Sequence, residues 1–324
     1  MTRTWLKGVL GAAALVVALA VSGGPAALAD TTVKVGKAMG SAFTFTPIDV
    51  GIATGIFKKH GIDVQKFNFG GSGKMQQALA AGAIDIGLGT GPEFAVLVKG
   101  APDLGVGQLA GRPSLMGLLV PANSTLKTVA DLKGRKIGIS TTGSLTQWLV
   151  ETLSAQQGWG PNGIQMVTLG ANTAMIAAMR TGQIDGAVIE VATDYEMEQK
   201  GVGKLFVKFG DIVDHFVLHV IWAQKGFVQR DPGAVRSFLA AWYETISFMK
   251  ANKDKTVEIA TPVMGTSKEI AARAYDELMP IMNTDGHFDR QGLEVVAASF
   301  PELKLLPTKP DLTPYIDESY LPKK

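Results

Sequence analysis

The 324-residue chain contains no cysteine. That absence excludes disulfides, a thiolate nucleophile and a lipid-modified N-terminal cysteine, so the fold has to be held by its core. Histidine is scarce as well, with four scattered residues (His60, His215, His219 and His287), which leaves little for acid–base catalysis. No excess of one charge sign is built in: without Arg3 and Lys7, which precede the first acidic residue, 29 cations face 29 anions. A basic face for nucleic acid is therefore not supported. Nothing points to disorder or a coiled coil, and the 46% hydrophobic and 19% charged residues, with 38 glycines, are ordinary for an α/β protein of about two domains.

Long apolar runs are also missing, apart from Gly8 to Val21. Arg3 and Lys7 precede this run, and Ala27-Leu28-Ala29 follows it with small residues where a signal peptidase reads. Residues 1–29 are expected to be a signal peptide, with Asp30 as the first mature residue. The run is shorter than the ~20 residues of a membrane span, although a retained anchor is the alternative. No Arg-Arg pair precedes it, which favours the general secretory route over twin-arginine export.

What is present is a repeat. Phe69 to Gly91 returns one hundred residues later in Leu169 to Val191, with Gly70, Met75, Ala78, Gly82, Ile84 and Asp85 matched by Gly170, Met175, Ala178, Gly182, Ile184 and Asp185. Each copy reads as a glycine loop, a short helix, a glycine stop and a buried strand, the grammar of parallel α/β structure. The chain is expected to form two similar halves, with function located where they face each other.

Around the repeat, Thr32 to Ala38 alternates as a strand. Thr46 is expected to cap a helix that Pro47 starts, with Asp49 meeting the orphan amides and Gly61 ending it. Ile62 to Phe69 reads as a strand with a bulge where the apolar phase slips. Gly111-Arg112-Pro113 breaks the pattern between two strands as a domain crossover does, and a return is expected near Asp211 to Phe216. Phe216 to Trp222 reads as a strand, followed by helices opened by Asp231-Pro232 and by Thr266-Ser267-Lys268-Glu269.

Four pieces carry a family resemblance: GIFKKHGIDV at Gly55 to Val64, LAAGAIDIG at Leu79 to Gly87, DLKGRKIG at Asp131 to Gly138 and GQIDG at Gly182 to Gly186. In this order and spacing the chain resembles the periplasmic solute-binding proteins of the nitrate, sulfonate, taurine and thiamine-precursor group of ABC importers. The resemblance implies an α/β fold of the two-domain type II periplasmic-binding-protein clamshell, with the ligand cleft between the domains. Residues 30–112 plus 217–324 would form a discontinuous domain 1, and residues 113–216 domain 2. It further implies delivery of a small-molecule solute to a membrane permease; the chain is expected to be a soluble periplasmic monomer without cofactor, metal or catalytic residues.

In open parallel sheets ligands sit beyond the carboxyl ends of the strands. That rule selects Ser41, Phe43, Thr44, Gly71, Ser72, Thr90, Gly91, Ser140, Thr141, Ser144, Asn172, Thr173 and Glu190. The Ser140–Ser144 loop leads into a helix, so its amides and hydroxyls can hold an anion without a cation; the same residues can equally serve as helix caps. Glu190 can accept from an amine or hydroxyl of the solute, which disfavours a doubly anionic solute, or it can be a solvated carboxylate or a cap of the next helix. Phe43 and Phe45 can stack on a ring or belong to the core.

Other motifs lead away from function. Gly70-Gly71-Ser72-Gly73-Lys74 lacks the hydroxyl after the lysine and the earlier glycine of a phosphate loop, since Met75 and Asn68 stand there. His215 and His219 fall on one face of a strand about 13 Å apart, too far for one metal ion. Arg112 in the crossover can pair a carboxylate or sulfonate, or lie on the surface. The expected solute is a small organic anion or zwitterion, sulfonate- or taurine-like. A thiamine-pyrimidine precursor, an aromatic carboxylate, or an enzyme on the same scaffold are the alternatives.

Overall fold

The computed structural model describes residues 30–160 and 162–323; the expected signal peptide lies outside them. The chain opens with β1 (Thr31–Lys37), α1 (Pro47–Ala53), α2 (Ile56–Lys59), β2 (Ile62–Asn68), α3 (Ser72–Ala80), β3 (Ile86–Thr90), α4 (Phe94–Val98) and β4 (Asp103–Ala110). It continues through β5 (Met116–Pro121), β6 (Lys136–Ile139), α5 (Leu145–Gln156), β7 (Gln165–Thr168), α6 (Asn172–Arg180), β8 (Gly186–Glu190), α7 (Val191–Gln199) and β9 (Gly203–Lys208). Then come β10 (His219–Gln224), α8 (Lys225–Arg230), α9 (Pro232–Ala251), α10 (Lys253–Met264), α11 (Lys268–Leu278) and α12 (Arg290–Glu302).

The strands form two five-stranded sheets, ordered β2-β1-β3-β10-β4 and β7-β6-β8-β5-β9. Within each, the repeat-bearing strands are parallel, β1 beside β2 and β3, and β6 beside β7 and β8. The sheets are mixed, however, because β10 runs antiparallel to β3 and β4 and β5 antiparallel to β8 and β9. Direction of travel explains this. β4 and β9 end at their sheets' carboxyl edges, and the chain crosses there to the opposite sheet through residues 111–115 and 209–218. The next strand must start at that edge and run away from it.

The two repeat copies fold alike. Asp85 N–H donates to Lys34 O at 2.9 Å while its carboxylate accepts from Lys34 N–H at 3.0 Å; Asp185 does the same with Lys136 at 2.7 and 2.8 Å. Ile84 and Ile184 fill the space over Gly36 and Gly138, where an added Cβ would lie 2.4 and 2.8 Å from their Cδ1 atoms. The shared Ile-Asp pair thus sets the register of the central strand in each half.

Several expectations change. The helix expected to run to Gly61 breaks at Gly55, whose φ of 75° ends α1 and starts α2. The Thr46 hydroxyl does not cap α1; it donates to Ala42 O at 3.4 Å. β2 keeps an unshifted register with β1, without the expected bulge, because this edge strand is largely solvent-exposed and its apolar phase is unconstrained. The strand expected from Phe216 begins at His219, since the preceding residues belong to the crossover. No helix among the described residues is long and apolar enough to cross a membrane.

Asp49 does not serve the α1 amides either. It pairs with Lys37 at 2.8 Å and with Lys66, while Lys37 Nζ also donates to Gly40 O at 2.7 Å. Lys37 is 1% and Asp49 6% exposed. Burial draws the Lys37 ammonium below its usual range against the pull of Asp49. The pair pins the loop after β1 to the body of the first half. Asp49→Ala leaves a buried cation without its counter-ion and is expected to lower unfolding free energy by about 3–5 kcal/mol; urea titration measures this, and a loss below about 1 kcal/mol would mean that the pair is effectively hydrated.

Candidate functional site

The carboxyl edges of the two sheets face each other, and the glycine loops of the two repeats meet there. A side chain on Gly170 would come within 3.8 Å of Gly70 O. Gly73 N–H donates to Thr141 Oγ1 across the gap at 3.2 Å. Gly71 has φ 151°, and an added Cβ would lie 2.4 Å from Thr141 Cγ2, so only glycine allows this approach. Between the halves lies a cavity of ≈ 50 Å³, above the ~10–15 Å³ that one water requires.

Phe45, Gly71, Ser72, Thr90 and His219 line the cavity from the first sheet's side, and Ser140, Thr146, Asn172 and Glu190 from the second's. Ala38, Met39, Ala42, Met116, Leu145, Val188 and Ile189 supply apolar wall. Of the residues selected from sequence, Gly71, Ser72, Thr90, Ser140, Asn172 and Glu190 come together here. Ser41 adjoins Glu190 in a smaller pocket with Thr193 and Glu196.

The others stand back from the cavity. The Phe43 ring is buried edge-on to Tyr275 at 6.4 Å, and Thr44 is fully buried. Gly91 packs against the Val217 carbonyl, where a Cβ would be 2.0 Å from the oxygen. Thr141 serves Gly73, Ser144 accepts from Gln147 N–H to cap α5, and Thr173 is exposed on α6. Arg112 pairs with Asp214 at 2.6 Å on the surface, and His215 lies 3.3 Å from Asp289. Among the described residues no cluster of three or more acidic or histidine side chains is placed to hold a metal ion.

Met116, Thr146 and His219 were not selected from sequence, and Phe45 was weighed there only as a ring that can stack on a solute or belong to the core. Met116 and His219 are the first residues of β5 and β10, the two antiparallel strands, so amino ends of strands reach the cavity as well. Thr146 is the hub of its loop: its hydroxyl accepts from Ser140 N–H at 2.9 Å and bonds the Ser140 and Ser144 hydroxyls at 3.0 and 2.8 Å.

Glu190 is 7% exposed, and its Oε2 accepts from Phe43 N–H of the opposite half at 3.2 Å. Burial pushes its carboxyl up to about 8, against the opposing effects of the Phe43 N–H and of Lys37. It occupies the N-cap position of α7 without bonding the helix amides. One turn on, Asp194 is fully buried with both oxygens unpartnered among the described residues, and burial, then Glu198 and Glu190, hold it well above the usual carboxylate range. On the other side of the cavity, Glu93 accepts from Thr90 N–H at 3.2 Å and from its hydroxyl at 3.3 Å, and burial raises this carboxyl too to about 8. The Thr90 hydroxyl oxygen also lies 3.4 Å from Ser72 Oγ, whose own hydroxyl can donate to it. Among the described residues no lysine or arginine lines the cavity. Positive potential comes instead from the N-terminal ends of α3, α5 and α6, whose Ser72, Leu145 and Asn172 reach it.

Comparison with known proteins agrees with this architecture. The alkanesulfonate-binding protein SsuA from Xanthomonas axonopodis pv. citri, solved bound to MOPS, superposes with a TM-score of 0.77 at 19% identity over 90% of this chain and 99% of that one. The fold is that of the periplasmic binding proteins. In sequence the chain is similar to an aliphatic sulfonates-binding protein of Escherichia coli, 26% identical over 242 residues and 74% of either chain. It is 28% identical over 151 residues to a thiamine biosynthesis protein of Haemophilus influenzae, of whose length it matches about half, 46%. The family model described as NMT1/THI5 like matches residues 42–256, well over half of the sequence, and the chain belongs to that family.

Proposed function

We propose that this chain is the solute-capturing component of an ABC importer: an exported protein that closes its two halves on a small organic solute and delivers it to a membrane permease. The observation that carries the reading is one cavity walled by both halves, with a buried carboxyl on one side and three helix N-termini around it. Such a site suits a zwitterion. A solute ammonium beside Glu190 offsets the burial that keeps this carboxyl protonated, while an acid group finds the positive helix ends. The apolar wall takes the short carbon body between them. Taurine-like amino sulfonates have this layout, and proteins similar to this one are named for sulfonates. A dianion does not fit, because no side-chain cation neutralises its second charge.

A second reading is an aminopyrimidine of the thiamine-precursor type, favoured by the ring pair of Phe45 and His219 at 4.6 Å and by the thiamine-related relative. We read the cavity as binding and not catalytic, because the Ser72 and Ser140 hydroxyls are hydrogen-bonded to Thr90 and Thr146 and not to a histidine.

Calorimetric titration of solute-stripped protein with taurine, ethanesulfonate, propionate and 4-amino-5-hydroxymethyl-2-methylpyrimidine tests these readings. Taurine is expected to bind at least about tenfold more tightly than ethanesulfonate, the value of one charge-assisted hydrogen bond. Preference for the pyrimidine would select the second reading, and silence toward all four would remove both.

Glu190 gives a pH signature with a definite sign. Its folded pKa of about 8 lies above its ordinary 4.5, so the folded state keeps a proton that the unfolded chain releases between these values. Stability of the solute-free protein should fall as pH rises through that window, by up to about 1.4 kcal/mol per pH unit from this group. Taurine affinity should rise from pH 6 to 8, because the ammonium binds the ionised carboxylate. Glu190→Gln is expected to flatten the affinity profile and remove part of the stability slope; an unchanged profile would show that the ammonium is not held by Glu190.

A further inference from the structure

We propose that His219 is a solute contact, donating a hydrogen bond from its imidazole to the acid oxygens of the solute on the first sheet's side of the cavity. This rests on the solute-binding reading above and assigns the residue that meets the acid end. His219 is the first residue of β10 and pairs in register with Thr90 of β3, the strand whose end forms the neighbouring cavity wall. Its ring packs on Phe45 and is 3% exposed.

The ring lacks what a buried polar side chain normally has. Nδ1 is fully buried and has no hydrogen-bond partner among the described residues. Burial alone lowers the imidazole to about 3, so it is neutral at physiological pH, with one N–H to give and one nitrogen to accept. An unpaired group of this kind is costly to keep in a closed core and calls for a partner that arrives from outside. Its neighbours do not supply one: Thr90 is bonded to Glu93 and Ser72, Gly71 N–H donates to Ala38 O, and the remaining first-sheet wall is Ala38, Met39, Ala42 and Phe45. With no cation in the wall, an acid group on this side is left with a neutral donor. His215, four residues earlier, differs in each respect, being exposed and placed beside Asp289.

The test compares His219→Leu and His219→Gln with wild type, using taurine and ethanesulfonate as probes, and follows affinity by calorimetry and the thermal midpoint of the solute-free protein. His219→Leu should weaken both probes by about 10- to 100-fold, the loss of one hydrogen bond to a charged group. The glutamine variant, which keeps a neutral donor, should recover most of that loss. The solute-free midpoint of His219→Leu should hold or rise, because an unpaired buried polar group gives way to an apolar one. Equal weakening of both probes places the contact at the acid end, since ethanesulfonate has no amine. Wild-type affinity in His219→Leu, or a fall in midpoint that tracks the loss of affinity in both variants, overturns the assignment and leaves the binding reading intact. If wild type binds neither probe, the acid-bearing solute is wrong and this assignment falls with it.

Discussion

Both sheets turn the carboxyl ends of their parallel strands toward each other, and much of the site depends on that constraint. A helix that follows such a strand starts at the same edge, so α3, α5 and α6 all bring positive ends to one place. On the proposed reading these ends attract an acid group, with no lysine or arginine among the described residues of the wall. The same constraint forces each crossing strand to run backwards, which brings Met116 and His219 to the cavity.

The repeat also explains how two similar halves form a site with unlike walls. Thr90 and Glu93 in the first copy correspond in position to Glu190 and Thr193 in the second, a hydroxyl and a carboxyl exchanged between the same two places. In the first half the carboxylate is set back and holds Thr90 through its N–H and hydroxyl. In the second the carboxyl itself lines the cavity, and Thr193 is set back, where it accepts from Asn172 Nδ2 at 3.4 Å. One exchange gives a hydroxyl wall facing a carboxyl wall on a nearly symmetric frame.

The symmetric part was legible in the sequence because it depends on local constraints. Gly82 and Gly182 end their helices at φ 71° and 72°, and Asp85 and Asp185 clamp the strand beside them, so residue type and spacing carry the information directly. Six of the thirteen selected residues reach the cavity for the same reason, being at strand ends that the parallel grammar identifies. The failures came where tertiary direction decides. Nothing local in His219 or Met116 tells that their strands start at the cleft. Phe43 and Thr44 sit in a loop of the right composition, but the Lys37–Asp49 pair beneath it is compatible with those two side chains turning into the core, leaving Phe45 at the wall.

On the proposed reading, closure and binding are linked through groups that this form satisfies poorly by itself. The bonds that span the halves include Phe43 to Glu190 at 3.2 Å, Gly73 to Thr141 at 3.2 Å, Tyr195 to Glu277 at 2.9 Å and Trp148 to Ser299 at 2.8 Å. Each is a single hydrogen bond, with a net contribution of about 1 kcal/mol. Against them stand an imidazole with a nitrogen unpartnered among the described residues and a carboxyl that burial holds protonated. In the open form that this reading requires, water would reach both groups and remove that cost. A solute that partners both stabilises the closed form by its differential interaction with it, which is what a ligand must supply to shift such an equilibrium. A solute that partners neither adds only apolar contact to the bonds that already span the halves.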